Sequence, residues 1–257
     1  METLYAREYR NLYEHHWWWR AREDAIVALL RGRHLAPGIS ILDVGCGDAL
    51  FFDRLAEFGN VEGLEPDARL IEPANPHRIK IHAAPFDKNF QPGKRFGLIL
   101  MLDVLEHLDR PEEAVSCVYD LLEAGGVFLL TVPAFPVLWT NHDVINHHRL
   151  RYRKKTLIPL LRKARFSIEK ARYWYQWTFP VKLVEGIAQK IIHSGSSPPR
   201  VPPVWLNRFL YRFSSLEQQT LGVIGAPFGS TLMVLCVKQP AFTSGKIDLD
   251  HCVETTL

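Results

Sequence analysis

Short apolar runs alternate with longer amphipathic stretches from Ile39 onward, a pattern typical of βαβ units in a parallel sheet. Seven short apolar runs have the length of strands: 39–44, 60–64, 78–82, 96–102, 127–132, 167–173 and 230–237. Helical periodicity predicts helices near 48–58, 67–73, 111–124 and 156–164. The pattern therefore predicts an α/β protein with a doubly wound, Rossmann-like, seven-stranded sheet.

Three further segments do not belong to a minimal doubly wound domain. Residues 1–38 are predicted to form an N-terminal helical lid, 175–229 a helical cap inserted before the last strand, and 239–257 a polar, disordered tail. The core then comprises residues 39–174 together with the final strand at 230–238.

The composition is that of an ordinary globular protein. The chain has 257 residues, of which 47% are hydrophobic and 23% charged, and its formal net charge is +3. A nucleic-acid-binding surface normally shows a basic stripe interleaved with aromatic residues, and so small a positive charge argues against such a partner.

The cysteines and the N-terminal residues predict a cytoplasmic protein. Cys46, Cys117, Cys236 and Cys252 form no CxxC pair and no zinc-like spacing, which indicates reduced thiols. The first residues are polar and charged, which predicts no signal peptide. No uncharged apolar run reaches the roughly 18 residues that a membrane span requires.

The strongest local signal is a strand that ends in an acid and a Gly-x-Gly turn. Residues 39–44 are followed by the turn Gly45-Cys46-Gly47, in which glycine lets the backbone bend sharply and approach a ligand closely. Glu65 follows the second strand, 22 positions after Asp43, near the interval of roughly 20 residues at which an acid meets ribose hydroxyls. Leu50 stands where a dinucleotide site has its third glycine, which favours a nucleoside without a pyrophosphate over NAD.

Three blocks of sequence carry a resemblance to a known family. LDVGCGDALF, GLEPD and LILMLDVLEHLDRPEEAV have the order and spacing of class I S-adenosylmethionine (SAM)-dependent methyltransferases, which this chain resembles. The resemblance implies SAM as the cofactor, S-adenosyl-L-homocysteine as its product, and methyl transfer to an acceptor. Gly97 departs from the family pattern, because many relatives carry aspartate in this strand.

The resemblance also implies which residues surround SAM. It assigns the methionine part to Asp43, Gly45 and Gly47 with Cys46 between them, the ribose to Glu65, the flanks of the adenine to Pro66 and to Ala84-Pro85-Phe86, and the surroundings of the reactive methyl to Leu102, Asp103 and His107.

The run His16-Trp17-Trp18-Trp19-Arg20 has two interpretations. Three adjacent tryptophans point around a helix and cannot all face one core, so the first interpretation is that they fix the N-terminal helix to the sheet. The second is that this helix covers the SAM pocket, with Arg20 or His16 reaching the methionine carboxylate and aromatic faces beside the sulfonium.

The stretch Asp103-x-x-Glu106-His107 also has two interpretations. In the favoured one, Asp103 shapes the SAM pocket while Glu106 and His107 cap or orient the next loop, and no metal is bound. The other follows from a resemblance to quinone-pathway O-methyltransferases, which bind a divalent cation with an acid-x-x-acid-His pattern. Two carboxylates and an imidazole would then hold Mg²⁺ with open positions for the acceptor.

A second polar cluster, residues 141–152, follows the fifth strand and is expected at the same end of the sheet as the SAM crevice. Imidazole is the side chain best suited to general-base work near neutral pH. His148 or His142 is therefore the predicted base, helped by Asp143, with His107 near the transfer point.

Arginines in the same segment provide either a clamp or a structural tie. Arg149 or Arg151 would hold a phosphate or carboxylate of the acceptor in a bidentate manner. The alternative is a loop pinned by His–Asp and Arg–carboxylate hydrogen bonds. The segment resembles a bacterial subgroup of these methyltransferases, and the matching positions are His142, Asp143, His148, Arg149, Arg151 and Tyr152, with His147 at a variable place.

The two amphipathic helices of the cap at 175–229 have three interpretations. They are core elements, or they cover an acceptor cavity that suits a lipophilic substrate, or they rest on a membrane surface. In the last case the basic residues at the rim of this surface are Lys182, Lys190, Arg208 and Arg212. The predicted acceptor is a small molecule of a natural-product, lipid or glycan pathway, with O-methylation favoured over N- or C-methylation. The oligomeric state is not predicted.

Two other functions are weighed against this one. Enzymes that methylate nucleic-acid amino groups usually carry an Asn/Asp-Pro-Pro-Tyr/Phe element after the fourth strand, where this chain has Leu102-Asp103-Val104-Leu105. The remaining alternative is a non-catalytic protein that keeps the fold, which replacement of Asp43 and Glu65 would distinguish from an enzyme.

Overall fold

The computed structural model describes residues 3–192, 200–220 and 225–239. The strands are β1 (Ile39–Val44), β2 (Gly59–Leu64), β3 (Ile81–His82), β4 (Phe96–Leu102), β5 (Leu122–Pro133), β6 (Phe166–Trp174) and β7 (Thr231–Lys238). The α-helices are α1 (Thr3–His15), α2 (Trp17–Arg31), α3 (Phe52–Leu55), α4 (Pro111–Leu121), α5 (Asn141–Ile145), α6 (Lys154–Lys163), α7 (Thr178–Ile192) and α8 (Val204–Gln219).

All seven strands form one sheet in the order β3-β2-β1-β4-β5-β7-β6. The first five strands are parallel, and β7 runs antiparallel between β5 and β6. The chain leaves β1 towards β2 on one side and returns to β4 on the other. This change of direction opens a crevice beyond the carboxyl ends of the two central strands, where such sheets bind ligands. The predicted seven-stranded Rossmann-like fold is confirmed.

Two predicted helices are much shorter in the structure. The helix expected at 48–58 is reduced to α3, because Ala49 adopts a positive φ of 55° that a helix cannot contain. The helix expected at 67–73 is a single 3₁₀ turn at Ala68–Leu70, and Pro73 and Pro76 follow it closely.

The ends of the other elements differ less. The strand expected at 78–82 contains only β3, since a 3₁₀ turn occupies Arg78–Lys80. Helix α4 passes directly into β5 at Leu122, so the helix predicted to reach residue 124 ends at Leu121, and Gly125-Gly126 lies inside the strand.

Apolar layers cover both faces of the sheet. On one face α2 and α3 pack through Ile26, Leu30 and Phe52 against the strands. On the other face α4 and α6 pack through Val118, Leu157 and their neighbours. The strands β1, β4 and β5 are buried on both faces, which explains their almost continuous apolar sequences.

The N-terminal helices and the predicted cap contact each other. His16 interrupts the helix between α1 and α2, and Asn207 of α8 bonds to both sides of this break. Its Oδ1 accepts from the Trp17 amide at 2.8 Å, and its Nδ2 donates to the His15 carbonyl at 2.7 Å. These bonds satisfy backbone groups that the break leaves open.

No helix of the described residues is both long and apolar enough to cross a membrane. Within the same residues Cys46, Cys117 and Cys236 are free thiols. The fourth cysteine and the predicted tail from residue 240 onward lie outside the part of the chain that the structure describes.

Candidate functional site

A cavity of about 790 Å³ lies beyond the carboxyl ends of the central strands. One part is lined by the glycine turn after β1, the acidic end of β2, the end of β4 and helix α2. The other part is lined by the loop after β5 and by α7. Of the residues predicted from the sequence it includes His16, Gly45, Gly47, Glu65, Pro66, Leu102, Asp103, Glu106, His107, His142 and His148.

The glycine turn shapes the floor of the cavity. Gly45 has a φ of 74°, and a Cβ at this position would collide with Val104. Gly47 has a φ of 54° and directs its amide into the carboxylate of Glu65, with a nitrogen-to-Oε2 distance of 3.0 Å. Both positions therefore favour glycine because of their positive φ, and Gly45 also because a side chain would collide with Val104.

Glu65 lies at the end of β2 with its carboxylate bound to two backbone amides. The second donor is the amide of Asp67, 2.9 Å from Oε1. Burial raises the pKa of Glu65, while these two hydrogen bonds act against the rise. Each oxygen retains a further lone pair for a ligand donor.

The residues around the expected adenine end differ from the prediction. Pro66 lines the cavity together with Asp67 and Leu70. The segment Ala84-Pro85-Phe86 does not line it, and Phe86 packs instead against Phe90 at 6.3 Å between ring centroids.

Asp43 and Cys46 lie behind the cavity wall. Cys46 points towards Gly63 and Phe52, as a Cβ on Gly63 would meet its sulfur. Burial raises the pKa of Asp43 to about 7, although the nearby Arg22 guanidinium acts against the shift. Neither side chain lines the cavity, so any influence on a ligand passes through the backbone turn or through charge.

The arginine of α2 that reaches the cavity is Arg22, not Arg20. Arg22 is buried, pairs with the carboxylate of Asp103, and lies 4.8 Å from the ring centroid of Trp18. Arg20 lies over the ring of Tyr211 on the outer side of the helix, at 4.9 Å. The prediction that Arg20 reaches the pocket is therefore wrong for this structure, because residues two positions apart on a helix face different directions.

A signal for Arg22 was present in the sequence. Trp18, Arg22, Ile26 and Leu30 recur at intervals of four residues, so Arg22 lies within the apolar stripe of α2. A charged residue inside such a stripe is rare unless it has a partner. The partner, Asp103, is 81 positions away in the chain and could be found only in the folded protein.

The three tryptophans pack in or against the core and also line the cavity. Trp17 and Trp19 are buried in the core, while Trp18 is half-buried, and all three line the cavity. His16 caps α2 by accepting from the Trp18 amide at its Nδ1, 3.2 Å away. Burial lowers the pKa of His16 to about 4, so its imidazole is neutral at neutral pH.

A buried carboxylate, Asp143, organises the loop after β5. Its Oδ2 accepts from the Thr140 amide, and Arg151 binds both oxygens at 2.8 and 2.9 Å. His148 Nδ1 lies 2.8 Å from Oδ1. Burial acts to raise the pKa of Asp143, but the hydrogen bonds from His148 and Arg151 outweigh it and hold that pKa well below its ordinary value.

The tie between Asp143 and His148 fixes the imidazole tautomer. The ionised carboxylate accepts a hydrogen bond from the protonated Nδ1, which leaves Nε2 with a lone pair. His148 lines the cavity, and its ring lies 4.8 Å from that of His107. The loop therefore presents an imidazole in the form of a general base.

The two arginines of this loop are structural ties. Arg151 is buried and fully engaged by Asp143 and by the Ala134 carbonyl. Arg149 pairs with Asp109 at 2.7 Å and donates to the His107 carbonyl at 3.0 Å. Neither is arranged as the predicted clamp for an acceptor, and the alternative of a pinned loop describes them.

Glu106, His107 and His148 form a cluster whose ligand atoms lie within 4.8 Å of one another. Glu106 is 0% exposed, neither carboxylate oxygen has a hydrogen-bond partner among the described residues, and burial raises its pKa well above the ordinary value. Asp103 is not in this cluster because Arg22 holds it. Within the part of the chain that the structure describes, these three residues are the ones that could hold a divalent cation.

Comparison with known proteins identifies the family. A family model described as a methyltransferase domain matches residues 8–182. The mitochondrial ubiquinone biosynthesis O-methyltransferase of Candida albicans is 29% identical over 125 residues, which are 44% of this chain and 38% of that protein. The ubiquinone biosynthesis O-methyltransferase of Dinoroseobacter shibae is 30% identical over 99 residues, 36% of this chain and 40% of that protein. The matches thus span about two fifths of these curated relatives.

A solved structure supports the same assignment of the fold. The N-methyltransferase NodS from Bradyrhizobium japonicum WM9, in complex with S-adenosyl-L-homocysteine, superposes with a TM-score of 0.55 at 14% identity. The match covers 89% of this chain and 90% of that one. The family model covers more than half of the chain, so the chain belongs to the class I SAM-dependent methyltransferases, and SAM is the cofactor of that family.

The raised pKa of Asp43 predicts a pH-dependent loss of stability. A carboxyl whose pKa is raised by folding stabilises the folded state in its protonated form, and that contribution is lost as pH rises towards 7. In ligand-free protein, Asp43→Asn should gain up to about 4 kcal/mol in free energy of unfolding relative to the wild type between pH 4 and 7. Urea unfolding across this range measures the difference.

The matched control for this experiment is Asp120→Asn. Asp120 is exposed on α4, so its variant should follow the wild-type pH profile. A difference between Asp43→Asn and the wild type that stays constant from pH 4 to 7 would contradict the prediction.

Proposed function

We propose that the protein transfers the methyl group of SAM to an oxygen of a small-molecule acceptor. The observation that carries the proposal is that one cavity joins the turn of Gly45 and Gly47 and the carboxylate of Glu65 to the Asp143–His148 pair. A nucleoside socket and a general base are thus within one chamber. The two ubiquinone biosynthesis relatives are O-methyltransferases by name, which supports oxygen as the acceptor atom.

SAM is expected to lie across the central strands. The carboxylate of Glu65 accepts hydrogen bonds from the two ribose hydroxyls through its remaining lone pairs. Gly45 and Gly47 leave room for the methionine part. The methionine carboxylate is assigned to Arg22, whose Nε has no hydrogen-bond partner among the described residues, and to His16. Trp18 lies beside Arg22, where an aromatic face favours the sulfonium.

His148 is the proposed base. Its Nε2 takes the proton of the acceptor hydroxyl while the oxygen attacks the methyl carbon in line with the sulfur. The carbon–sulfur bond breaks, and its electron pair remains on the sulfur of S-adenosyl-L-homocysteine. Asp143 stabilises the imidazolium that forms, as an orienting carboxylate does for other catalytic histidines.

His142 and His107 are weaker candidates for this role. Burial and the nearby charge of Lys182 lower the pKa of His142 to about 3. Burial and the neighbouring His148 lower the pKa of His107 to about 4. Imidazoles with such low pKa values take a proton poorly near neutral pH. We therefore assign them to shaping the acceptor chamber.

The reaction is proposed to need no metal. Transfer from a sulfonium requires alignment and deprotonation, both of which the described side chains supply. If a divalent cation were required, Glu106, His107 and His148 would hold it. Chelator treatment would then abolish turnover, and Zn²⁺ or Mg²⁺ would restore it. A cytoplasmic location likewise remains a prediction.

The second proposal concerns a membrane surface. Helices α7 and α8 expose apolar stripes, among them Val184, Ile187, Trp205, Phe209 and Phe213. Three polar residues of α8 are buried instead: Asn207, Ser214 and Glu217. An amphipathic helix in this orientation needs an apolar partner.

Charge favours an anionic lipid surface as that partner. The exposed charged residues of α8 are Arg208 and Arg212, and its one acid, Glu217, is buried. Basic residues beside exposed aromatic ones are typical of helices that lie in the interface of anionic membranes. Lys182, predicted for this rim, lines the cavity instead, and the side chain of Lys190 lies outside the described residues.

Glu65→Gln should weaken the binding of S-adenosyl-L-homocysteine about 10- to 100-fold, because hydrogen bonds to a charged group contribute roughly 1.5–3 kcal/mol. Isothermal titration calorimetry measures the change. Glu72→Gln is the matched control, since Glu72 is exposed nearby and lines no part of the cavity. Equal affinity for S-adenosyl-L-homocysteine in the Glu65 variant and the control would contradict the proposal that Glu65 binds the ribose.

His148→Gln should reduce methyl transfer about 10²- to 10⁴-fold while leaving affinity for S-adenosyl-L-homocysteine within a few-fold. Transfer of label from methyl-labelled SAM into a small-molecule extract of the source cells measures the rate. Higher pH should partly restore the variant, because hydroxide then deprotonates the acceptor. His147→Gln, in the same loop, is the control. If the two variants lose methyl-transfer activity to the same extent, His148 is not the base.

The pair Phe209→Ser and Phe213→Ser should reduce binding to vesicles that contain phosphatidylglycerol at least about ten-fold, since each phenylalanine contributes roughly 1.5–3 kcal/mol on burial. Cosedimentation measures the binding, which should also fall with added salt. Ile79→Ser is the control, because Ile79 is exposed outside the cap. A concentration-dependent dimer that the double variant abolishes, without vesicle binding, would assign the face to a second copy.

A further inference from the structure

Helix α7 turns its polar side towards the cavity. Thr178, Lys182, Glu185 and Gln189 follow one another at intervals of four, three and four residues, so they share one face of the helix, and all four line the chamber. The apolar side of α7 faces outward. The wall that α7 contributes to the chamber is therefore polar, whereas one of the three interpretations of the cap from its sequence was a cover that suits a lipophilic substrate.

Lys182 is the cation of this lining, and its ammonium has no hydrogen bond or ion pair within the described residues. The nearby acids are already engaged. Asp143 accepts from Arg151, His148 and the Thr140 amide. Glu185, on the same helix, accepts from Gln189 at 3.0 Å.

The charge of Lys182 acts directly on the site. After burial, it is the largest influence that lowers the pKa of His142. Burial and the guanidinium of Arg151 lower the pKa of Lys182, while the charges of Glu185 and Asp143 act against this shift. A buried ammonium that no carboxylate contacts directly is unfavourable, and an anion placed beside it removes that cost.

We propose that Lys182 binds an anionic group, a carboxylate or a phosphate, on the methyl acceptor. The proposal rests on the methyltransferase function and names its substrate class: small polar molecules that carry one anion at Lys182 and a hydroxyl that faces His148. Lys182 is then the residue that selects acceptors by charge. Neutral lipophilic molecules leave the ammonium unpaired and bind more weakly.

The test uses the intact protein saturated with S-adenosyl-L-homocysteine. Sodium phosphate and sodium acetate are titrated separately at constant ionic strength, and binding is followed by calorimetry and by the midpoint of thermal unfolding. Lys182→Met removes the charge and keeps the length of the side chain. Lys155→Met is the matched control, because Lys155 is exposed on α6 and lines no part of the cavity.

We expect saturable binding of at least one anion, with a dissociation constant at least five-fold larger in Lys182→Met than in the wild type and unchanged in Lys155→Met. Lys182→Arg should retain most of the affinity. Preference for phosphate would indicate a phosphorylated acceptor, and preference for acetate a carboxylic acid. No saturable binding of either anion, or binding that is equal in the wild type and Lys182→Met, would overturn the proposal.

The cofactor titration keeps this result separate from the proposed function. If S-adenosyl-L-homocysteine binds and the anions do not depend on Lys182, only the acceptor class is wrong. If S-adenosyl-L-homocysteine does not bind the wild-type protein, the methyltransferase proposal itself fails.

Discussion

The buried carboxylate of Asp143 is the interaction on which the candidate site depends. It accepts from the amide of Thr140, the residue that caps α5, from two guanidinium nitrogens of Arg151, and from Nδ1 of His148. A carboxylate withdrawn from water is stable only when its oxygens are saturated with donors, and these bonds saturate them. The same bonds give the loop after β5 one conformation and give His148 one tautomer. The hydrogen bonds of Asp143 therefore determine both the conformation of the loop and the tautomer of the proposed base.

Helix α8 of the cap buries polar residues and exposes apolar ones, the reverse of the usual pattern for a surface helix. In most surface helices the apolar stripe faces the core, but α8 buries Asn207, Ser214 and Glu217 and exposes Trp205 and Phe209. The buried groups form hydrogen bonds at the break between α1 and α2 and with Trp177: Asn207 and Glu217 accept from backbone amides, and Ser214 accepts from the indole nitrogen of Trp177. The second carboxylate oxygen of Glu217 has no partner among the described residues. The cap consequently lines the cavity with polar side chains of α7 and exposes apolar side chains of α7 and α8 on its outer surface. A polar acceptor delivered at a lipid surface would be compatible with both.

Part of the lining of the cavity could be predicted because its signals are local. Gly45, Gly47 and Glu65 occur where parallel strands end, and adjacent parallel strands bring such ends together whatever the rest of the chain does. Arg22 could not be placed in the same way, since its role depends on Asp103, a distant residue with a positive φ of 57°. The helices expected at 48–58 and 67–73 were overestimated because apolar spacing reports a helical face and not the left-handed residue or prolines that end it.

The sequence by itself determined the order of the elements, the seven-stranded sheet and the position of the glycine turn, since periodicity and backbone preference act over a few residues. Tertiary structure alone decided which side of each helix faces inward. It assigned Arg22 rather than Arg20 to the cavity, converted Arg149 and Arg151 into ties, and turned Lys182 from a surface rim into the chamber. The physical reason is that a helix fixes the angle between its side chains but not its own rotation about its axis. That rotation is set by the residues it packs against, which come from distant parts of the chain.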